Sequence, residues 1–212
     1  MALIPVTRLT SGINTQTDST SRENAVEKAI NKLTGDDPTQ DSVLIGNVPK
    51  LWPELSKYEN DTSGSGSPDI ISVPPPQFIW NQASFPAGQV QYFAQAYQIE
   101  SGDQHVVFVA VFADNAHELY IEEYTPEGEF AQRITPEDGL TDGLMVASAS
   151  LTDDTDFPFN WQKVRLWSSS FEPLNADGYL VISFKAINYD AIDSVNPAGL
   201  AYLVDVYREE EG

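Results

Sequence analysis

The sequence predicts a mainly β protein: an antiparallel jelly-roll β-sandwich carrying an N-terminal, partly helical arm. Three observations lead there. From residue 77 onward, seven or eight strand-like stretches follow one another, several alternating apolar and polar residues with a period of two, and turn residues separate them. No helical period of useful length occurs in that region. Before residue 77 the chain is rich in Ser, Thr, Asn and Asp, and it closes in a Gly/Ser tract followed by a polyproline one, Glu59 to Pro76. The expected division is therefore an arm over 1–76 and a sandwich over 77–212.

In the arm, Thr20-Ser21-Arg22-Glu23 has the spacing of a capping box, and Val26, Ala29, Ile30 and Leu33 recur at helical spacing. Gly35 ends this helix, because glycine adopts the left-handed backbone of a helix C-terminus without strain. A second short helix is expected over 48–58, with Pro53 in its first turn. The sandwich strands then follow in order. The first runs through "QFIWNQASF". The second, Gly88 to Glu100, puts Val90, Tyr92, Ala94 and Ala96 on one side. Gln104 to Asp114 is a nearly continuous apolar run, as a fully buried strand requires. His117 to Ile134 reads as two strands around a Pro-Glu-Gly turn. Asn160 to Phe171 sets Trp161, Lys163, Arg165 and Trp167 against Val164 and Leu166. Asp177 to Asn188 and Gly199 to Glu209 complete the set.

Charge and composition remove several classes of function. The net charge of −21 is unevenly spread: six cations face ten acids in 1–76, and five face twenty-two thereafter. Such a surface repels nucleic-acid backbones and anionic lipid, so neither nucleic acid nor membrane is an expected partner. Without cysteine there is no disulfide, zinc-thiolate site or cysteine nucleophile. The opening residues lack a basic stretch followed by an apolar one, so no cleaved secretory signal is expected. No phosphate loop, dinucleotide fingerprint or nucleophile elbow is present, and among many carboxylates none stands out as an acid–base pair. His105 and His117 flank one strand and its turn, too far apart to ligate one metal locally. The chain is not expected to be an enzyme.

The stretch from Trp161 to the final strand, "WQKVRL", then "GYLVISFKAIN", then "NPAGL" and an aliphatic strand, resembles galactose-binding-like jelly rolls. Tyr179, Phe184, Ala186, Asn188, Asn196, Pro197, Ala198, Gly199 and Leu200 carry the likeness: a strand ending in Asn, a loop, then an aliphatic strand. The resemblance covers about fifty residues and implies the fold, with sugar contacts made by loops at one end of the sandwich. Elementary chemistry accounts for the same residues, since Asn caps turns, Pro197 sets one and Gly199 allows close passage.

Two functions follow as expectations. A helix of this length is marginal alone, so the stripe of Val26, Ala29, Ile30 and Leu33, with Leu51 and Trp52, is expected to dock on neighbouring copies. That describes a non-catalytic structural protein, a homo-oligomer among other structural subunits. Its setting would be a virion (capsid decoration, neck, tail or fibre) or a spore-surface appendage, reached by lysis. The alternative is a carbohydrate-binding module for glycans, using Trp161, Trp167, Asn188 and Asn196. No cofactor is required by either. Calcium is the ion the closely spaced Asp153, Asp154 and Asp156 would take.

Overall fold

The computed structural model describes residues 2–48, 55, 73–150, 153, 163–190 and 197–210. Twelve strands and one helix are described: β1 (Ala2–Thr10), β2 (Gln16–Asp18), α1 (Arg22–Thr34), β3 (Val43–Asn47), β4 (Gln77–Trp80), β5 (Gln89–Gln98), β6 (His105–Asp114), β7 (Ala116–Tyr124), β8 (Phe130–Arg133), β9 (Leu140–Asp142), β10 (Arg165–Phe171), β11 (Tyr179–Asn188) and β12 (Gly199–Glu210).

These strands form two antiparallel six-stranded sheets. The first runs β10–β6–β12–β4–β3, with β1 alongside β12; the second runs β2–β5–β11–β7–β8, with β9 alongside β7. From β4 onward this is jelly-roll order. The sandwich is a jelly roll in which β8 and β9 share one position beside β7. Gly199 stands opposite Asp114 in the ladder, and an added Cβ would meet the rings and methyls of Phe78 and Ile45 at 3.4 and 3.5 Å. The close passage read into this glycine is what the strand needs.

Strand parity fills the space between the sheets. Phe93, Val107, Val109, Val111, Leu119, Ile121, Leu180, Ile182, Phe184, Leu200, Tyr202 and Val204 all point inward and are buried. Rings organise it: Trp80 lies 5.6 Å from Phe93, and Phe184 stacks on Tyr202 at 4.7 Å.

Residues 2–47 are not a separate arm. β1 joins the first sheet along eight positions of β12, β2 pairs with β5, and β3 pairs with β4. The helix folds back as well. Ser21, rather than Thr20, caps it by accepting from the Asn24 N–H, and Gly35 ends it at φ 82°. Its buried residues Ala25, Val26, Ala29 and Ile30 pack on Ala94, Ala96, Tyr124, Tyr179 and Val181, the outward face of the second sheet. Lys28 ties it to β2 through Asp18 at 2.8 Å. The expected assembly stripe is thus satisfied within the chain, where each buried Val or Ile contributes about 1.5–3 kcal/mol. Of the named positions among the described residues, only Leu33 stays exposed, at 49%. Leu51 and Trp52 lie outside the described residues. Val48 and Leu55 are buried against Ala110, Phe112, Ala201 and Leu203 on the outward face of the first sheet.

Candidate functional site

The outward residues of β7 are Glu118, Tyr120, Glu122 and Tyr124, alternating with the inward Leu119 and Ile121. Placing Glu122 on that face would strand a carboxylate under α1, since it is fully buried. Two cations solve this. Arg22, in the first turn of α1, pairs with Glu122 through Nη1, and the same nitrogen donates to Ser183 Oγ at 3.1 Å. Arg133 on β8 reaches Glu122 Oε1 with Nε at 2.8 Å and Nη2 at 2.7 Å. The Tyr124 hydroxyl donates to Oε2 at 3.1 Å. Both guanidiniums also lie over the Tyr120 ring, at 4.5 and 5.3 Å from its centroid.

The network has electrostatic consequences. Burial works against the Arg22 charge, but the hydrogen bond and attraction of Glu122 outweigh it and hold the guanidinium more firmly protonated than usual. Burial, then the neighbouring Glu122 charge, pushes the Tyr124 phenol well above its ordinary range. These groups therefore stay in fixed protonation states at neutral pH.

Between α1 and the β7–β8 turn this network floors a cleft of about 600 Å³. Val26, Ile30 and Tyr124 give it an apolar side, and Glu23, Glu27, Asn31 and Glu127 give it a polar rim. Phe130 stands at its mouth, 54% exposed. Its ring meets Tyr124 edge-on at 6.0 Å. The cleft thus joins a partly exposed aromatic ring, over which the Arg133 guanidinium lies 5.9 Å from the centroid, to hydrogen-bonding groups that are held in place.

The sequence-predicted sites fare differently. Trp167 faces inward and packs against the core, and Arg165 beside it pairs with Asp142. The tryptophan side of this strand is therefore not the exposed face; Leu166, Ser168 and Ser170 are. Asn188 is fully buried, and its amide donates to the Pro86 carbonyl at 3.1 Å. That is a turn-holding role with no access for a sugar. Trp161 and Asn196 lie outside the described residues, as do Asp154 and Asp156. Asp153 is exposed and accepts from the Ser150 N–H and hydroxyl at 2.8 and 2.9 Å, which holds its carboxyl below the usual range. Among the described residues no group of three His, Asp or Glu side chains is placed to hold a metal, and no helix is long and apolar enough to cross a membrane. His105 and His117 sit on strands of opposite sheets. Sequence reasoning missed the Arg22–Glu122–Arg133 cluster, because Arg22 lies 100 positions and Arg133 11 positions from Glu122 and the three carry no motif.

No family model matches the chain, and no curated protein matches it. Solved structures do. A CBM4 carbohydrate-binding module aligns with 63% of this chain and 69% of its own length, at 14% identity and TM-score 0.33. The enzymatically active domain of tailspike protein 4 of bacteriophage CBA120 aligns with 76% of this chain, at 11% identity and TM-score 0.38, and this chain spans only 21% of it. The K3 cleaved adhesin domain of Lys-gingipain from Porphyromonas gingivalis covers 96% of this chain and 97% of its own, at 10% identity and TM-score 0.34. The β-sandwich architecture rests on the chain's own two antiparallel sheets, and that is the level at which the galactose-binding-like resemblance is met.

Proposed function

We propose that the chain is a non-catalytic, carbohydrate-binding β-sandwich module, and that the cleft between α1 and the β7–β8 turn takes the sugar. One observation carries the reading. A single concave site pairs the exposed ring of Phe130 with side chains already fixed by the Glu122 network. Sugars present both an apolar ring face and a fringe of hydroxyls. They are recognised by an aromatic platform beside pre-positioned donors and acceptors. Glu122 has both oxygens engaged by arginine and tyrosine, which suits it to supporting a site rather than to proton transfer.

A glycan array followed by calorimetry on the hits tests this. Binding is expected, and Phe130→Ala is expected to abolish it while the circular dichroism spectrum stays unchanged. Silence across neutral and acidic glycans would remove the function. A hit untouched by Phe130→Ala would remove the site.

Assembly as a virion or spore-surface subunit is the second reading. The helix stripe no longer supports it, since that stripe is buried within the chain. A different surface, the outer edge of the first sheet, bears on self-association alone.

A further inference from the structure

β10 is the outermost strand of the first sheet, and among the described residues no strand pairs with its far side. A free strand edge is a template for pairing, and proteins guard it with proline, charge, a bulge or short length. The other outer strands are guarded. β1 carries Pro5 and a bulge between Pro5 and Thr7. β3 has five residues with a register shift between Leu44 and Gly46. β2 and β9 have three residues each, and β8 has four, ending in Arg133 with its own register shift against β7. β10 carries a charge only at its first residue, Arg165, which is paired with Asp142 of the facing sheet. Its seven residues run in unbroken register with β6, without proline and without charge from Leu166 to Phe171.

The face beside this edge is apolar. Leu166 is 65% exposed and Phe108 43%. They are diagonal neighbours, because Leu166 stands opposite Ala110 and Ser168 opposite Phe108. Phe108 also meets the Tyr207 ring at 5.7 Å, which extends the patch onto β12.

The ends of the strand indicate what covers it. Lys163 lies just before β10, and the exposed Glu172 lies just after it. A strand with a basic start, a neutral middle and an acidic end complements itself in antiparallel pairing and repels itself in parallel pairing. The partner's charge points the same way. A second copy with a net charge of −21 is repelled by most of this surface, and here it meets neutral or opposite charge.

We propose that a second copy of this chain pairs through β10, antiparallel, about a two-fold axis at Ser168. The first sheets of the two copies then form one continuous sheet. Leu166 of each copy lies opposite Ser170 of the other, and the basic start of each strand, at Lys163, comes within one register step of the acidic end of the other, at Glu172, the two side chains leaving opposite faces of the sheet. The contact is isologous and closes at two copies.

Sedimentation velocity over the micromolar range tests it, with circular dichroism as the check on folding. The wild type is expected to show a concentration-dependent dimer. Leu166→Lys with Ser170→Lys is expected to leave folded monomers. Lys163→Glu and Glu172→Lys are each expected to weaken the dimer about fivefold, and the two together to restore it. A wild type that stays monomeric throughout overturns the proposal. So does a dimer that survives the lysine pair, or a charge swap that restores nothing.

Discussion

Arg8 grips Asp205 across 197 positions of sequence, Nε to Oδ1 at 2.6 Å and Nη2 to Oδ2 at 2.9 Å, with both side chains buried. The two stand directly opposite in the β1–β12 ladder, so the fork fastens the first strand to the last. A pair this buried is weak evidence of net stabilisation, but removing one partner leaves an uncompensated charge. Asp205→Ala is expected to cost about 3–5 kcal/mol, read as a fall in the denaturant midpoint at unchanged slope. Arg8→Met with Asp205→Leu is expected to recover most of that loss. Additive losses in the double variant would mean that the pair does not act as a unit.

The helix divides its apolar residues between two fates, and their energies should differ accordingly. Val26 and Ile30 are buried on β5 and β11, at 3% and 8% exposure, while Leu33 faces solvent. Val26→Ala and Ile30→Ala are each expected to cost about 2–3 kcal/mol. Leu33→Ala is expected to stay within about 0.5 kcal/mol. None of the three should change the sedimentation coefficient of the folded protein. A variant that dissociates an assembly without loss of stability would restore the arm-docking reading.

Much of the fold was legible in the sequence because strand alternation is local. The parity of Val90, Tyr92, Ala94 and Ala96 placed them on one face, and three of them lie under α1. The helix, with Gly35 as its stop, was legible for the same reason. What covers the helix was not. Burying Val26 needs the outward faces of β5, β7 and β11, which lie between 66 and 155 positions further on, and no periodicity reports such a contact. Residues 2–47 fooled composition for a related reason. Some of their polar residues are buried against the ladder: Thr15, Gln16 and Thr17 are fully buried. They are satisfied there by Tyr202, Asp41 and the Tyr92 carbonyl. The tryptophan strand misled because polar Arg165 suggests solvent, while its inward position is sustained by Asp142 on the facing sheet.

The Glu122 network should hold the helix as well as the cleft. Glu122→Gln leaves Arg22 and Arg133 facing one another without the carboxylate between them. The expected loss is about 3–5 kcal/mol, with amide exchange over Arg22–Thr34 accelerating before that of β11. Equal acceleration everywhere would show that α1 has no stability separate from the sandwich.

The pH dependence should be flatter than either of its two main contributors. His117 is fully buried with neither ring nitrogen hydrogen-bonded, and burial, against a partly offsetting Asp142 and with Arg165 adding to it, pushes its pKa down to about 4. Between about pH 6.5 and 4 the unfolded chain binds this proton and the folded chain does not, so stability falls as pH falls. Asp114 behaves oppositely. Burial raises its pKa from 3.8 to about 7, so between those values the folded chain holds a proton that the unfolded chain has lost, and stability falls as pH rises. Each contributes a slope of at most about 1.4 kcal/mol per pH unit, with opposite sign, and the two largely cancel between pH 4 and 6.5. Asp114→Asn is expected to leave the histidine slope bare, so that stability climbs with pH across that window and exceeds wild type near pH 8. His117→Phe is expected to expose the aspartate slope, so that stability declines from pH 4 toward 7. Urea titrations at intervals across the window check both. Parallel profiles for the wild type and the two variants would show that neither group changes its proton on folding.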